Sequence, residues 1–165
     1  MTDQAERAGY RSAIVIDDLR DALQHGPAVA DRIWRAWWEP YGASLADVEG
    51  ALKEVASATD FPFTLVATRH GQFLGTVTAI QTDIHQRPDL GPCLAALWVE
   101  PQARRQRIAH MLMAAAVARL SSHGFTHVYL AAKPPLRPFY EAAGWSMIES
   151  DVGDDHLGVF VRALP

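Results

Sequence analysis

The stretch Leu97-Trp98-Val99-Glu100-Pro101-Gln102-Ala103-Arg104-Arg105-Gln106-Arg107-Ile108-Ala109 decides the reading of this chain. An apolar run stops at Pro101, a short polar turn follows, and a basic cluster opens a long alanine-rich amphipathic segment. That order spells strand, tight turn, helix, with Arg104, Arg105 and Arg107 at the helix N-terminus. Free amide groups and the positive end of the helix dipole favour anions at such a terminus. Three arginines at the same place point to a phosphate-bearing ligand. From the spacing alone, a solvated basic first turn is an equally good reading.

Outward from that stretch, periodicity and turn residues order the rest. A β-branched run at 12–16 reads as a first strand, and Asp17-Asp18 precedes a helical stretch. Ile33, Trp34, Trp37 and Trp38 are spaced to bury one helix face, and Pro40-Tyr41-Gly42 ends that helix. The aromatics between Trp34 and Tyr41 suit core packing, with an apolar acceptor wall as the alternative. Ser44 and Asp47 approximate a capping box for a second helix running toward Ala56. Residues 63–68 and 73–80, rich in Val, Thr, Phe and Ile, flank Arg69-His70-Gly71-Gln72 as an antiparallel hairpin.

A loop at 81–91 leads into a strand at 92–99. The next helix is expected over 102–123, with Gly124 as its stop. Its row Ile108, Leu112, Ala116 and Leu120, beside Ala109, Met113 and Val117, would face a sheet. A strand at 127–132 breaks at Lys133-Pro134-Pro135. A short helix over 137–143 then ends at Gly144. Strands at 145–151 and 157–164 close the chain around an acidic turn at 151–155. Alternating strands and helices with hairpins at both ends give an α/β mixed sheet.

Composition bounds the function. The chain has 165 residues, 49% hydrophobic and 21% charged, which is globular rather than disordered composition. A net charge of −4 gives no reason to expect a nucleic-acid or membrane-surface partner. Cys93 is the single cysteine, so no internal disulfide forms, as suits a reducing compartment. The N-terminal Met1 to Arg7 is polar and mixed in charge, unlike a signal peptide, and no apolar run reaches membrane-spanning length. The expectation is one soluble, cytoplasmic domain over 1–165, with a homodimer left open. His123 and His127 have ligand-like separation, but one ends a helix and the other begins a strand, so no metal site is expected.

Two motifs carry a resemblance. Val99-x-Pro101-x-x-Arg104-Arg105-x-x-Ile108-Ala109-x-x-Leu112, followed by Phe139-Tyr140-Glu141-x-x-Gly144-Trp145, resembles the GNAT superfamily of acetyl-CoA-dependent N-acetyltransferases. The likeness covers roughly residues 61–164. It implies a mainly antiparallel central sheet flanked by helices and splayed at the cofactor-binding strand. It also implies that the turn Arg104, Arg105, Gln106, Arg107, Ile108 and Ala109 holds the pyrophosphate of coenzyme A through backbone amides. The family writes this turn Arg/Gln-x-x-Gly-x-Gly/Ala, so Arg107 stands at the first glycine. A glycine admits the phosphates without a Cβ in the way. An arginine there is expected to take helical φ/ψ, leaving the fold intact and putting cofactor affinity in question.

By the same resemblance, the main chain of Leu97, Trp98 and Val99 would hold the pantetheine arm, with the Val99 N–H polarising the thioester carbonyl. Their side chains read equally well as core residues. Tyr140 matches the tyrosine that protonates the departing thiolate, and its ordinary pKa near 10 suits that task. A half-buried packing role is its alternative. The family's side-chain base often lies early on the same strand, where this chain has Cys93 and Ala95. Asp83, His85, Asp89 and Glu100 are nearby candidates, each of a kind more often found as a solvated loop residue, and a base acting through ordered water is an equal alternative. Asp83-x-x-x-Arg87-Pro88-Asp89-Leu90-x-Pro92 resembles the loop of bacterial acetyltransferases of mostly unassigned substrate. Arg87 would favour an acidic acceptor and the overall charge a basic one. The expected activity is acetyl transfer from acetyl-CoA to a primary amine of a small molecule or peptide. The alternative is a GNAT-fold binding module with weak or no turnover.

Overall fold

The computed structural model describes residues 14–165. Residues 12 and 13 of the expected first strand lie outside that range. Its described part is β1 (Ile14–Asp18), which takes in Asp17 and Asp18. Asp18 then turns the chain, accepting the Arg20 N–H at 2.8 Å. Two short 3-10 turns lead to α1 (Gly26–Ile33), with Pro27 in its tolerated first turn. The helix widens into a π-helical turn over Trp34–Trp38 and stops at Gly42, φ +85°. Helix α2 (Leu45–Ser57) carries the full capping box, Asp47 N–H to Ser44 and Ser44 N–H to Asp47.

Strands β2 (Phe63–Arg69) and β3 (Gln72–Ile80) form the hairpin expected at Arg69 to Gln72. The remaining elements are β4 (Cys93–Val99), α3 (Ile108–Ser122), β5 (His127–Ala132), α4 (Arg137–Ala142), β6 (Ser146–Val152) and β7 (Leu157–Ala163). Seven strands make one sheet in the order β1-β2-β3-β4-β5-β7-β6. Every neighbouring pair is antiparallel except β4 and β5.

The helices cover both faces. Ile108, Leu112, Ala116 and Leu120 of α3, with Met113 and Val117, are buried against Leu65, Val77 and Leu94, as their spacing requires. Tyr140 on α4 and Trp145 complete that cluster, so α3 and α4 share a face. On the other face α1 and α2 enclose Val29, Ala30, Ile33, Val48 and Val66, with Trp34 and Trp38 at the margin. Ile84, Cys93, Val152 and Val159 form a third small cluster under the 81–91 loop. Among the described residues no helix is long and apolar enough to cross a membrane.

One boundary departs from expectation. The long helix starts at Ile108, not at residue 102. Pro101–Ala103 makes a separate 3-10 turn, and Arg104 is extended at φ −69°, ψ 161°. Two left-handed residues, Arg105 (φ +61°) and Arg107 (φ +63°), then stop the helix from propagating backwards.

Candidate active site

The sheet opens beside β4. Cys93 pairs with Tyr129 on β5, and the Tyr129 N–H reaches the Pro92 carbonyl at 3.0 Å. Beyond that point no further register pair joins the two strands, whereas β3 stays paired to β4 as far as Val99. The strand bends as it leaves β5. Thr78 opposes Ala95 and Thr76 opposes Trp98, so β4 carries one extra residue in that interval. Ala96 absorbs the bulge at φ +53°. On the other side β3 must come close, because a Cβ on Gly75 would sit 2.6 Å from the Trp98 carbonyl oxygen.

The backbone direction follows from pairing. The Glu100 N–H donates to the Leu74 carbonyl on β3 at 2.8 Å. Alternate residues of an antiparallel strand face opposite edges. The N–H and C=O of Val99 are therefore directed toward β5, at the opening. Leu97 and Val99 turn their side chains to the cluster under α3, while Trp98 emerges on the other face and meets Trp37 edge-on at 6.4 Å.

At the end of β4 the turn gathers cations. Arg104, Arg105, Gln106 and Arg107 are exposed, and Arg69 from β2 donates to the Gln106 amide oxygen at 2.9 Å. The Arg69 Nε is buried without a partner. Helix α3 has no side-chain cap at Arg107. Its first backbone bond is Met111 N–H to Arg107 C=O at 3.0 Å, which leaves the amides of Ile108, Ala109 and His110 free of intrahelical partners. Arg107 does not take the helical φ/ψ expected of it. It lies in the left-handed region at φ +63°, ψ 18°, where a Cβ costs about 1–2 kcal/mol. That geometry gives a physical reason for glycine at this place in the motif. Arg104 turns back on β4. Its Nε donates to the Val99 carbonyl at 3.0 Å, and its guanidinium stands 4.9 Å from the Trp98 ring centroid.

Tyr140 of α4 is buried in the cluster that α3 covers, 7% exposed. Its ring touches those of Phe139, Trp145 and Phe160 at 5.1, 6.3 and 5.6 Å. Burial alone pushes its hydroxyl up to about 12. His110 of α3 meets Phe139 of α4 edge-on at 5.2 Å, tying the two helices together.

The candidate bases divide. Glu100 is buried at 6% exposure, not a solvated loop residue. Arg32 grips both its oxygens at 2.8–3.0 Å, and the Trp98 indole N–H donates to it at 3.2 Å. The Arg32 hydrogen bonds hold its carboxyl below the ordinary range. Asp89 is paired with Arg87 at 3.0–3.1 Å, and Arg87 also binds Glu149 at 2.7 Å, so that arginine's charge is already answered. Cys93 is fully buried and pushed up to about 11, a thiol at neutral pH. Asp83 differs. The residue is exposed in the 81–91 loop, and the protein atoms around it raise its carboxyl, with His85 opposing the shift.

The aromatic segment divides as well. Trp34 and Trp38 pack on the α1–α2 cluster, and the Trp34 indole donates to Ala43 C=O at 2.8 Å. Trp37 and Tyr41 are 38% and 68% exposed. Tyr41 hydrogen-bonds Asp155 of the β6–β7 turn, which bridges two rims of this face. A cleft of about 270 Å³ lies elsewhere, over Phe160 and Met147 and bordered by Lys133, Arg137, Asp151 and His156. It holds none of the residues singled out from the sequence. Among the described residues no cluster of three or more His, Cys, Asp or Glu is arranged to hold a metal ion.

A mainly antiparallel sheet, splayed at one parallel pair beside a basic helix N-terminus, is the GNAT architecture. The acetyltransferase (GNAT) domain family matches residues 48–160, and the chain belongs to that family. Its fold resembles an acetyltransferase from Streptococcus agalactiae 2603 (TM-score 0.71, 16% identity, 93% of this chain and 99% of that one). It also resembles an aminoglycoside 6'-acetyltransferase type Ii (0.70, 21%, 92% and 98%). An aminoglycoside 6'-N-acetyltransferase complexed with coenzyme A is similar to the same degree (0.71, 18%, 92% and 98%). No curated protein matches the chain in sequence.

Proposed function

We propose that the protein, as one acetyltransferase domain over 1–165, transfers an acetyl group from acetyl-CoA to a primary amine of a small molecule or peptide. The reading has direct attack within a ternary complex. The observation that carries it is the conjunction at the end of β4. An unpaired strand edge runs into an uncapped helix N-terminus surrounded by Arg104, Arg105 and Arg107. A strand edge can bind an amide-bearing arm, and free helix amides with nearby guanidiniums suit a pyrophosphate. Acetyl-CoA has both parts in that order and supplies the activated acetyl group.

In this reading the main chain of Leu97, Trp98 and Val99 lies along the arm, and the Arg104 to Ala109 turn receives the phosphates. The Val99 N–H points into the opening, where it can stabilise charge developing on the thioester oxygen. The amine nitrogen forms the new C–N bond as the C–S bond breaks. Tyr140 gives its proton to the leaving sulfur, and the amine's proton leaves through water or Asp83. A phenol near 12 stays protonated at every working pH, and the burial that raises it would raise a neighbouring thiolate too. The lone, buried Cys93 suits a cytoplasmic setting, and a homodimer is compatible with the reading. No nucleic-acid or membrane partner is invoked.

A second reading, a GNAT-fold binding module with weak or no turnover, is favoured by the left-handed Arg107 with its side chain at the phosphate turn. Thermal unfolding with acetyl-CoA separates them from a non-binding fold. Ligand at a hundredfold over Kd should stabilise by about 2.7 kcal/mol. No shift at millimolar acetyl-CoA sinks the transferase. A shift with no thiol release across an amine panel supports the module.

A further inference from the structure

Arg104 is held in place before any ligand arrives, and the residues that hold it come from the opposite face of the sheet. Its Nε is spent on the Val99 carbonyl and its guanidinium lies over Trp98, so its two terminal nitrogens remain to meet a ligand. The Trp98 ring is itself fixed. Its N–H donates to Glu100 Oε2 at 3.2 Å, and its ring meets that of Trp37 in a T-shaped contact. Glu100 is fixed in turn by a two-pronged grip from Arg32 on α1, 68 residues away in sequence. Arg32 also contacts Asp31, which receives Arg35 at 2.9 Å. The chain of contacts runs from α1 through Glu100 and Trp98 to the first arginine of the basic turn.

We infer that Glu100 is a positioning residue for coenzyme A binding, acting through the Trp98 indole to hold Arg104 ready for the cofactor's pyrophosphate. This rests on the acetyl-CoA reading above. The physical reason is preorganisation. A free arginine loses rotamer freedom when it grips a phosphate, whereas one stacked on a fixed indole has already lost it. A cation–π contact orients the guanidinium only if the ring beneath it cannot turn. Glu100 stops it turning. Because Trp37 belongs to the α1 segment, the same chain joins the face carrying the exposed aromatics to the donor's phosphate turn.

The test is coenzyme A affinity by titration calorimetry on the folded protein, in a double-mutant cycle of Glu100→Gln and Arg104→Ala. Glu100→Gln should weaken coenzyme A binding about three- to tenfold in the parent and less than twofold in the Arg104→Ala background. A merely structural loss would lower the melting temperature equally in both backgrounds and leave no such difference in affinity. Trp98→Phe keeps an aromatic face, though a smaller one, and removes the N–H donor, so it should weaken binding in the same Arg104-dependent way. It also provides the test if Glu100→Gln does not fold. Unchanged affinity in the variant that folds, or the same factor lost with and without Arg104, overturns the inference while the acetyl-CoA reading stands. A parent that binds no coenzyme A overturns both.

Discussion

Cys93 and Tyr129 are the register pair through which β4 and β5 meet, and after Cys93 the strand partner of β4 is β3. The position of the open edge therefore depends on how closely β3 approaches. Gly75 sets that distance, since its Cα faces the Trp98 carbonyl, Val99 and Leu112 with no room for a methyl group. Gly75→Ala should cost about 1–3 kcal/mol by overpacking. It should also weaken coenzyme A binding by displacing Trp98 and Val99. Chemical denaturation and calorimetry read the two effects. A substitution neutral in both would show that β4 does not need this close contact.

Arg107 carries a backbone strain that its family position would avoid. Arg107→Gly removes the left-handed penalty but gives the unfolded chain more freedom. The net effect should be a gain of about 0.5–1 kcal/mol, or roughly 1–4 °C in Tm for a domain of this size. Coenzyme A affinity should stay within a few-fold, because the lost guanidinium and the gained access to the amides oppose each other. A hundredfold gain would instead show that the arginine blocks the site, which favours the binding-module reading.

The parts legible in the sequence are those written in local patterns. Val-, Thr- and Phe-rich runs punctuated by Gly71, and the capped helix at Ser44, gave elements that match within a residue or two. The apolar row on α3 likewise named its buried face. What escaped lies in residues whose types do not advertise their geometry. Ala96 gives no sign of a positive φ, so the bulge that bends β4 was hidden. Arg105 and Arg107 read as ordinary first-turn cations, so the sequence pattern starts the helix six residues before Ile108. Glu100 looked like a loop carboxylate because its partner Arg32 lies on a different helix and face. A charged residue between Val99 and Pro101 at a strand end was the only hint that it needed one.

The Glu100–Arg32 pair should be visible in the pH dependence of stability. The folded-state pKa of Glu100 lies below its ordinary 4.5, so in acid the unfolded chain takes up the proton first. The pair's contribution is complete above about pH 4.5 and is lost as pH falls through the folded value. Glu100→Gln should destabilise by about 1–3 kcal/mol at pH 7, because Arg32 loses the carboxylate it grips with two prongs and keeps only Asp31. It should also flatten the decline in Tm below pH 4.5. An acid limb identical to the parent's would remove Glu100 from the account of acid stability.

For Tyr140, the expected result is a loss confined to turnover. Tyr140→Phe keeps the contacts with Phe139, Trp145 and Phe160 and removes only the hydroxyl. If that hydroxyl protonates the leaving sulfur, kcat should fall roughly ten- to a thousandfold with little change in KM for acetyl-CoA. Its raised pKa also means that the parent should show no alkaline loss from Tyr140 ionisation at or below about pH 10. Unchanged turnover, measured where chemistry limits the rate, returns Tyr140 to a packing role.

The acceptor amine sets the other side of the pH profile. An alkylammonium is almost fully protonated at pH 7 and must lose a proton before it can attack. Glu100 and Asp89 are each held by an arginine, and Cys93 is a buried thiol, so none of the three is poised to take that proton. Asp83 is the carboxylate whose pKa is raised, which brings it nearer to a useful base, but its rise comes from desolvation and not from a partner that would aim it. Activity should therefore climb through about pH 8–9 without a plateau near neutrality, following the amine itself. Asp83→Ala should remove less than about tenfold of kcat/KM, since water can carry the proton in its place. The measurement is thiol release from acetyl-CoA with the best amine of a panel, between pH 6 and 10. A profile already flat above pH 7 and abolished by Asp83→Ala would make Asp83 a dedicated general base, because only a base that titrates below neutrality produces that plateau.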